Sequence, residues 1–306
     1  MRKKHWMSLA AFLVICIIIM KSFYYNKDIS MYPIKDHQKT YSAQKTWLIS
    51  YANEGIYIQN QNNLMMSASI YQVFDVIMPY QPHNIDPEFY SKHKKILTKN
   101  RGGGYWLWKP YFILKTLKMM PENDVLLYAD SSGVFRDGIY NLLKLAHTND
   151  ITVFPNFHSN RGMIKKLVID KMANGDDSYL DKIQLDASLI LLRNTAKSRK
   201  IIEEWLSYCE DHELLDDSES KDEYKDFKDH RHDQSILSIM YNKNPELFNL
   251  YDAYPARMEA FITTRRKNPC SMLPVTFSDK TEFSWLDGIK YRSIIWLIGC
   301  QKFKGS

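Results

Sequence analysis

From Thr46 onward, short apolar runs alternate with stretches whose apolar residues recur at helical spacing. The runs predict strands at 47–51, 74–78 (ended by Pro79), 124–128, 151–154 and 188–192. The helical spacing predicts helices at 63–73, 111–120 (ended by Pro121), 138–146 and 196–209. Strands that alternate with helices predict an α/β domain with a mostly parallel sheet covered by helices on both faces. The dense mixed-charge run at 210–229 predicts a solvated loop, and we interpret 46–306 as one domain.

The N-terminus has a basic cluster at 1–5, then an apolar run at 6–20. As a helix this run spans only about 22 Å, so it reaches bilayer length only if Lys21 snorkels and the aromatics at 23–25 lie at the interface. A cleaved signal peptide is the alternative, but no small-residue cleavage site follows. We predict a cytoplasmic tail (1–5), a transmembrane signal anchor (6–25) and a stem (26–45). The positive cluster predicts that the N-terminus stays cytoplasmic and that 46–306 lies on the non-cytoplasmic side.

The composition of the 306 residues adds two constraints. With 45% hydrophobic and 25% charged residues, the chain can bury a sizeable core. The net charge of +6 is too sparse for a typical nucleic-acid binder, which argues against that class, but it suits an anionic small-molecule donor. Of the four cysteines, Cys16 lies in the apolar run and the others lack zinc-type spacing. They are ordinary buried thiols, or Cys270 and Cys300 form one bridge if the body lies outside the cytosol.

The first segment with candidate chemistry is Arg-Gly-Gly-Gly-Tyr-Trp-Leu-Trp-Lys-Pro at 101–110, which opens a predicted helix. Three glycines allow the backbone to approach a ligand closely, and a helix N-terminus favours a phosphate. Trp106 and Trp108 are interpreted as core residues. Arg101 and Lys109 are either structural or ligand-binding cations.

The second segment is Tyr-Ala-Asp-Ser-Ser-Gly at 128–133, which ends a predicted strand. It places Asp130 at the carboxyl edge of the sheet, where open α/β sheets bind ligands. A carboxylate there can hold Mg²⁺ or Mn²⁺ against a diphosphate. The alternative role of Asp130 is to cap a turn.

The third segment is His-Arg-His-Asp-Gln-Ser at 230–235, followed by apolar residues at helical spacing. Asp233 is a plausible helix N-cap. The surrounding polar residues exceed what a cap requires, so a histidine could complete a metal site or bind phosphate. Asp233 or Gln234 could then reach a sugar or an acceptor hydroxyl.

Together with Gln-Leu-Asp-Ala-Ser at 184–188 and Glu-Trp-Leu at 204–206, these segments resemble a bacterial and viral group of GT-A-type nucleotide-sugar glycosyltransferases over about residues 46–242. The Asp-Gln-Ser-Ile-Leu run at 233–237 also resembles the Asp-Gln-Asp-Ile-Leu segment of a glycosyltransferase family that includes glycogenin-like and lipooligosaccharide galactosyl-transferring enzymes. The GT-A metal motif is Asp-x-Asp, of which only Asp130 matches, because Ser132 stands third. Serine at 235 likewise departs from the second pattern.

The resemblance implies a GT-A-like catalytic domain at 46–306 that transfers a sugar from a nucleotide-diphosphate donor to a glycan or glycolipid acceptor, with retention of configuration as a weaker implication. It implies catalytic roles for Asp233 and Gln234, and Mn²⁺ or Mg²⁺ held by Asp130 and His232. The implied donor-binding residues are Arg101, Lys109, Asp130, Ser132, His230, Arg231 and His232. A carbohydrate-active hydrolase and a non-catalytic carbohydrate-binding module are the competing interpretations.

Overall fold

The computed structural model describes residues 44–263, all of which fall in one compact unit. The predicted tail, anchor and nearly all of the stem lie outside the described residues, as do Cys270 and Cys300. Within the described part of the chain, no helix has the length and apolarity needed to cross a bilayer.

Eight strands are described. They are β1 (Thr46–Tyr51), β2 (Val76–Tyr80), β3 (Val125–Ala129), β4 (Gly133–Phe135), β5 (Ile151–Ser159), β6 (Ile183–Arg193), β7 (Asn249–Leu250) and β8 (Phe261–Thr263). Six of them form one sheet in the order β2-β1-β3-β6-β5-β7, and β4 pairs with β8 in a small antiparallel sheet. Strand β6 runs antiparallel to both β3 and β5, whereas the other pairs of the large sheet are parallel. The predicted mostly parallel α/β architecture is confirmed.

The helices are α1 (Gly55–Tyr71), α2 (Pro87–Leu97), the short turn α3 (Gly102–Tyr105), α4 (Trp108–Met119), α5 (Ile139–Lys144), α6 (Lys166–Met172), α7 (Ala196–Glu210), α8 (His212–Leu215), α9 (His232–Lys243) and α10 (Tyr254–Ala260). They cover both faces of the large sheet, because alternate strand residues face opposite ways. In β3, Leu126 and Tyr128 join the core beneath α4, α7 and α9, whereas Leu127 and Ala129 join the core beneath α1 and α5.

Several predicted boundaries were wrong. Strand β5 ends at Ser159 rather than 154, and β6 begins at Ile183 rather than 188. Helix α1 begins at Gly55 rather than 63, because its buried positions include the polar residues Asn60 and Gln61, which hide the apolar period. The side-chain nitrogen of Gln61 donates to the carbonyl of Tyr80 at 3.1 Å, which satisfies this donor in the core. Strand β2 continues through Pro79 because β2 is an edge strand, where a missing N–H is tolerated.

The predicted loop at 210–229 is largely irregular, but it contains α8 and is held by ion pairs. Helices α4 and α7, in contrast, match their predicted bounds closely, because their apolar residues repeat without interruption. The antiparallel direction of β6 has a consequence for the rest of the fold. It brings the start of that strand, rather than its end, to the edge where β1, β2 and β3 end.

Candidate active site

The ammonium of Lys109 is the centre of a buried cluster of charged side chains. Lys109 belongs to the first turn of α4 and is 3% exposed. Its Nζ lies 2.9 Å from the carboxylate of Asp233 and 3.5 Å from that of Asp130, and it donates to the carbonyl of Ala187 at 3.0 Å. Burial alone would lower the pKa of Lys109, but the neighbouring carboxylates raise it overall, so the side chain stays charged.

Asp130 directly follows β3, at the predicted sheet edge. Its backbone N–H donates to the carbonyl of Ser188 at 2.8 Å, and its carboxylate accepts a hydrogen bond from the hydroxyl of Tyr128. The pKa of Tyr128 is raised well above its usual range by burial and by the Asp130 carboxylate, so that hydroxyl remains a donor. With 26% of its side chain exposed, Asp130 is the more accessible of the two carboxylates paired with Lys109. A ligand at the sheet edge would therefore meet Asp130 first.

Asp233 is not the N-cap that its sequence position allowed. Helix α9 begins at His232, its cap position is Arg231 without a side-chain cap, and Asp233 lies inside the first turn, 3% exposed. The carboxylate lies against the ammonium of Lys109, and a hydrogen bond from the backbone of Gln234 also acts on it. Burial raises the pKa of Asp233 to about 6, although Lys109 acts in the opposite direction. Asp233 therefore titrates close to neutral pH.

Gln234 is held by β6. Its amide nitrogen donates to the side-chain oxygen of Gln184 at 3.0 Å, and its own oxygen accepts from the backbone of Ala187 at 3.4 Å. The side chain of Trp205 donates to the carbonyl of Asp233 at 3.0 Å. The first turn of α9 is thus fixed against both the sheet and α7.

Two site residues were given no role from the sequence: Arg257, and Asp186, which lies within the Gln-Leu-Asp-Ala-Ser segment at 184–188. Arg257 of α10 is 6% exposed; its guanidinium donates to the carboxylate of Asp186 and, at 3.1 Å, to the hydroxyl of Ser188. The Asp186 carboxylate also contributes to the raised pKa of Lys109. A polar break inside an apolar strand is the signal that could have identified Asp186. No local pattern marks Arg257, which follows Asp186 by 71 positions.

The two predicted histidines are buried beside α8. His230 contacts the carbonyl of Leu214 at 2.9 Å, and His232 contacts that of Leu215 at 2.8 Å. Burial lowers the pKa of His230 well below its usual range and that of His232 to about 4, so both rings are neutral at pH 7. The ring of His232 stacks on Tyr105, with 5.0 Å between centroids.

Arg101 and Arg231 contact acidic residues of the run at 216–229. Arg101 pairs with Asp217 at 2.8 Å and with Asp229 at 2.5 Å, and Arg231 pairs with Asp229 at 3.3 Å. Ser132 lies in the turn between Asp130 and β4, where the N–H of Gly133 donates to the carbonyl of Asp130 at 3.3 Å. The predicted residues therefore form two groups, one around Lys109 and one around Arg101.

The glycine-rich turn has a packing role. Gly104 adopts φ +102°, and a Cβ there would lie 2.8 Å from the backbone of Leu97, so a larger residue does not fit. The indole of Trp108 donates to the carbonyl of Gly102 at 2.8 Å and stacks on Tyr51 with centroids 4.1 Å apart. The interpretation of Trp108 as a core residue is confirmed. Trp106 is partly buried against the same core.

The predicted metal ligands have other partners. His232 uses Nδ1 for the Leu215 carbonyl, and its Nε2 lies 3.6 Å from Asp217, while Asp130 is engaged by Tyr128 and Lys109. Among residues 44–263, no three or more histidine, cysteine, aspartate or glutamate side chains are grouped so that they could hold a metal ion. Metal binding by Asp130 and His232 stays a prediction.

No protein-family model and no curated protein matches the sequence. Solved structures that align with it include apo mouse xyloside xylosyltransferase 1, at 10% identity over 68% of this chain and 85% of that one, with TM-score 0.40. A glycosyltransferase involved in the glycosylation of the major capsid of PBCV-1 aligns at 12% identity over 72% of this chain and 94% of that one, with TM-score 0.42. The galactosyltransferase LgtC aligns at 14% identity over 67% of this chain and 72% of that one, with TM-score 0.36. Likenesses of this extent do not establish a shared activity.

Proposed function

We propose that this chain is a glycosyltransferase that moves a sugar from a nucleotide-diphosphate donor to a glycan or glycolipid acceptor. The observation that carries the proposal is the contact of Lys109 with both Asp130 and Asp233. It joins the three chemistry-bearing segments of the sequence at the carboxyl edge of a mostly parallel sheet. That edge is where open α/β sheets bind ligands such as nucleotides.

The charges of this cluster suit glycosyl transfer. In the transition state, positive charge develops on the sugar and negative charge on the leaving diphosphate, and fixed charges in a water-poor site stabilise both. We assign Asp233 and Gln234 to the sugar, because both are immobilised in the first turn of α9. We assign Asp130 and Lys109 to the donor because they pair where β3 ends, and Ser132 because it lies in the turn that follows.

The second group of residues is assigned to the donor diphosphate. Arg101 and Arg231 offer guanidinium groups, which bind phosphate oxygens well. His232 and His230 are placed on the same side; because the N–H of each neutral ring donates to a backbone carbonyl, each would donate to a phosphate only after it takes up a proton. Transfer with retention of configuration is part of the proposal. A divalent cation at Asp130 also remains part of it, and no step is derived through that cation.

Calorimetry of the full chain with UDP and with GDP, each with and without Mn²⁺, tests donor binding. A transfer assay then compares Asp130→Asn and Asp233→Asn with Glu122→Gln, a control at a carboxylate that is 54% exposed and precedes β3, at the opposite end of that strand from Asp130. We expect nucleotide binding, and loss of transfer in the first two variants only. Hydrolysis of a glycan to free sugar in the absence of a nucleotide donor would instead establish a carbohydrate-active hydrolase. Glycan binding without any turnover would establish the binding module.

We further propose one membrane span at 6–25, with the N-terminus in the cytoplasm and the catalytic domain on the other side. The support is the basic cluster that precedes the apolar run. Protease protection of sealed vesicles tests this topology. Digestion of the catalytic domain from the cytoplasmic side would reverse the orientation and favour an enzyme that acts on lipid-linked acceptors at the cytoplasmic face.

A further inference from the structure

The run from Asp216 to Asp229, here called the acidic segment, is anchored at both ends. At its start, the buried ammonium of Lys165 donates to the carbonyls of Asp216 and Ser218, at 2.8 and 3.1 Å. At its end, the backbone N–H groups of Lys228 and Asp229 both donate to the carbonyl of Gly162. These contacts hold the segment beside the glycine-rich turn. The carboxylates of the acidic segment therefore contact Arg101 from a backbone that is fixed at both ends.

Two carboxylates of the acidic segment share one guanidinium. Arg101 Nη1 lies 2.8 Å from Asp217, and Nη2 lies 2.5 Å from Asp229. Two anionic groups on the two ends of one guanidinium reproduce the way in which a diphosphate would engage it. All three side chains are about one-third to two-fifths exposed, so solvent screens both pairs and weakens them. A stronger anion can therefore displace them.

Tyr105 is a second donor at the same place. Its ring stacks on His232 with 5.0 Å between centroids, and burial together with the charge and hydrogen bond of Asp217 raises the pKa of Tyr105. The His232 ring itself is not a donor there. Its Nδ1–H donates to the carbonyl of Leu215, so Nε2 of the neutral ring carries a lone pair, 3.6 Å from Asp217. Arg101 and Tyr105 thus converge on the Asp217 carboxylate.

We propose that Asp217 is a built-in competitor of the donor: its carboxylate occupies the anion subsite formed by Arg101 and Tyr105, and the donor diphosphate must displace it. This regulation rests on the proposed function, because it assumes that the displacing ligand is a nucleotide diphosphate. When the donor binds, the acidic segment loses its contact with Arg101 but keeps its anchors at Lys165 and Gly162. The empty enzyme then avoids exposing an unpaired cluster of donors.

The expected size of the effect follows from the fraction of molecules in which the subsite is free. If Asp217 covers the subsite in nine-tenths of molecules, the measured affinity for an anion is about tenfold weaker than the intrinsic one. Removing the negative charge at position 217 removes that competition. The change should appear in binding constants whether or not an acceptor is present.

The experiment measures binding of inorganic pyrophosphate and of UDP to the full chain and to Asp217→Asn. We expect about tenfold tighter binding in the variant, at an unchanged melting temperature because Asn has the shape of Asp. The matched control is Asp222→Asn in the same segment, where the side chain is 77% exposed and lies 3.7 Å from Lys166, not near Arg101. Arg101→Gln should weaken binding in either background. Hydrogen exchange of amides 216–229 should increase when pyrophosphate is added to the unsubstituted chain.

Equal affinity of the unsubstituted chain and Asp217→Asn for both ligands would overturn the competition by Asp217 and leave the glycosyltransferase proposal intact. Slower exchange of the acidic segment on pyrophosphate binding would overturn it as well. Tighter pyrophosphate binding in Asp217→Asn, without any binding of UDP, GDP or their sugars, would support the self-occupied subsite and refute the nucleotide-sugar function.

Discussion

The ammonium of Lys109 lies 2.9 Å from the carboxylate of Asp233, and both side chains are almost completely buried. The two residues are far apart in the sequence, in the first turns of α4 and α9. A buried charge without its partner is costly, so each side chain requires the other. This pair makes the integrity of the site and the stability of the fold interdependent.

The first prediction concerns removal of this cation. Lys109→Met leaves the Asp233 carboxylate buried and unpaired, which should lower the free energy of unfolding by about 3–5 kcal/mol. Lys115→Met is a matched control on the same helix, because Lys115 pairs with Asp86, whose side chain is 58% exposed, and should cost at most about 1 kcal/mol. Urea unfolding measures both. Adding Asp233→Asn to Lys109→Met should recover part of the loss; a purely additive double variant would show that the pair is not coupled.

Asp233→Asn separates the two possible roles of this residue. Asparagine caps helices as well as aspartate does, so a cap would tolerate the change. Since the structure shows Asp233 inside the first turn and paired with Lys109, we expect transfer to fall by orders of magnitude. In the unsubstituted chain the rate should rise with pH through about 6, as the Asp233 carboxyl ionises. A pH–rate profile measures this, and full activity in Asp233→Asn would refute a catalytic role.

The dependence of stability on pH should also change in Asp233→Asn. The pKa of Asp233 rises from 3.8 to about 6 on folding, so the folded state binds the extra proton and the unfolding free energy falls as pH rises through that interval. The pKa of His232 falls from 6.5 to about 4, so this group acts in the opposite direction over nearly the same interval.

Without Asp233, the histidine contribution is unopposed. Between pH 4 and 6, the unfolding free energy of Asp233→Asn should therefore rise more steeply with pH, by up to about 1.4 kcal/mol per pH unit relative to the unsubstituted chain. Denaturant titrations across this range provide the measurement, with His232→Gln expected to shift the slope the other way. Parallel curves for Asp233→Asn and the unsubstituted chain would mean that Asp233 is ionised at pH 4.

Asp130→Asn tests the donor side of the site. The Asp130 side chain is partly exposed and Asn can still accept a hydrogen bond from Tyr128, so the melting temperature should change little. Transfer should be lost if the carboxylate holds the donor or a cation. Titration with Mn²⁺ and with EDTA separates these two cases. Full activity of the unsubstituted chain in EDTA would eliminate the metal role, and near-normal turnover in Asp130→Asn would eliminate both.

A pair of glycine substitutions tests the turn that precedes α4. Gly104→Ala places a Cβ 2.8 Å from the backbone of Leu97 at φ +102°, and it should cost about 2–3 kcal/mol or more. Gly55→Ala is the control, because Gly55 also has a positive φ but a Cβ there meets nothing within 4 Å, so it should cost only about 1–2 kcal/mol. Thermal unfolding compares the two variants. Equal losses would assign the whole effect to backbone conformation.

Much of the fold is predictable from the sequence because it depends on local periodicity. Helix α7 and the strands β1 and β3 follow from apolar residues that repeat at their own spacing. Where a buried position is polar, as at Gln61, the period disappears and the start of α1 was missed. The chemical segments were also visible locally, since Lys109, Asp130 and Asp233 each lie beside a predicted helix or strand.

Only the tertiary structure decides how these segments meet. The sequence allowed Asp233 to be an N-cap, and the approach of Lys109 from α4 turned its carboxylate into an ion-pair partner. The antiparallel direction of β6 brings Asp186 to the same edge, and Arg257 reaches it from α10. No feature of the sequence around Arg101 indicates that Asp217 is its ion-pair partner. Local pattern fixes which residues form each element, because it depends on neighbouring side chains. Ion pairs between distant residues depend on strand order and direction, which no single segment encodes.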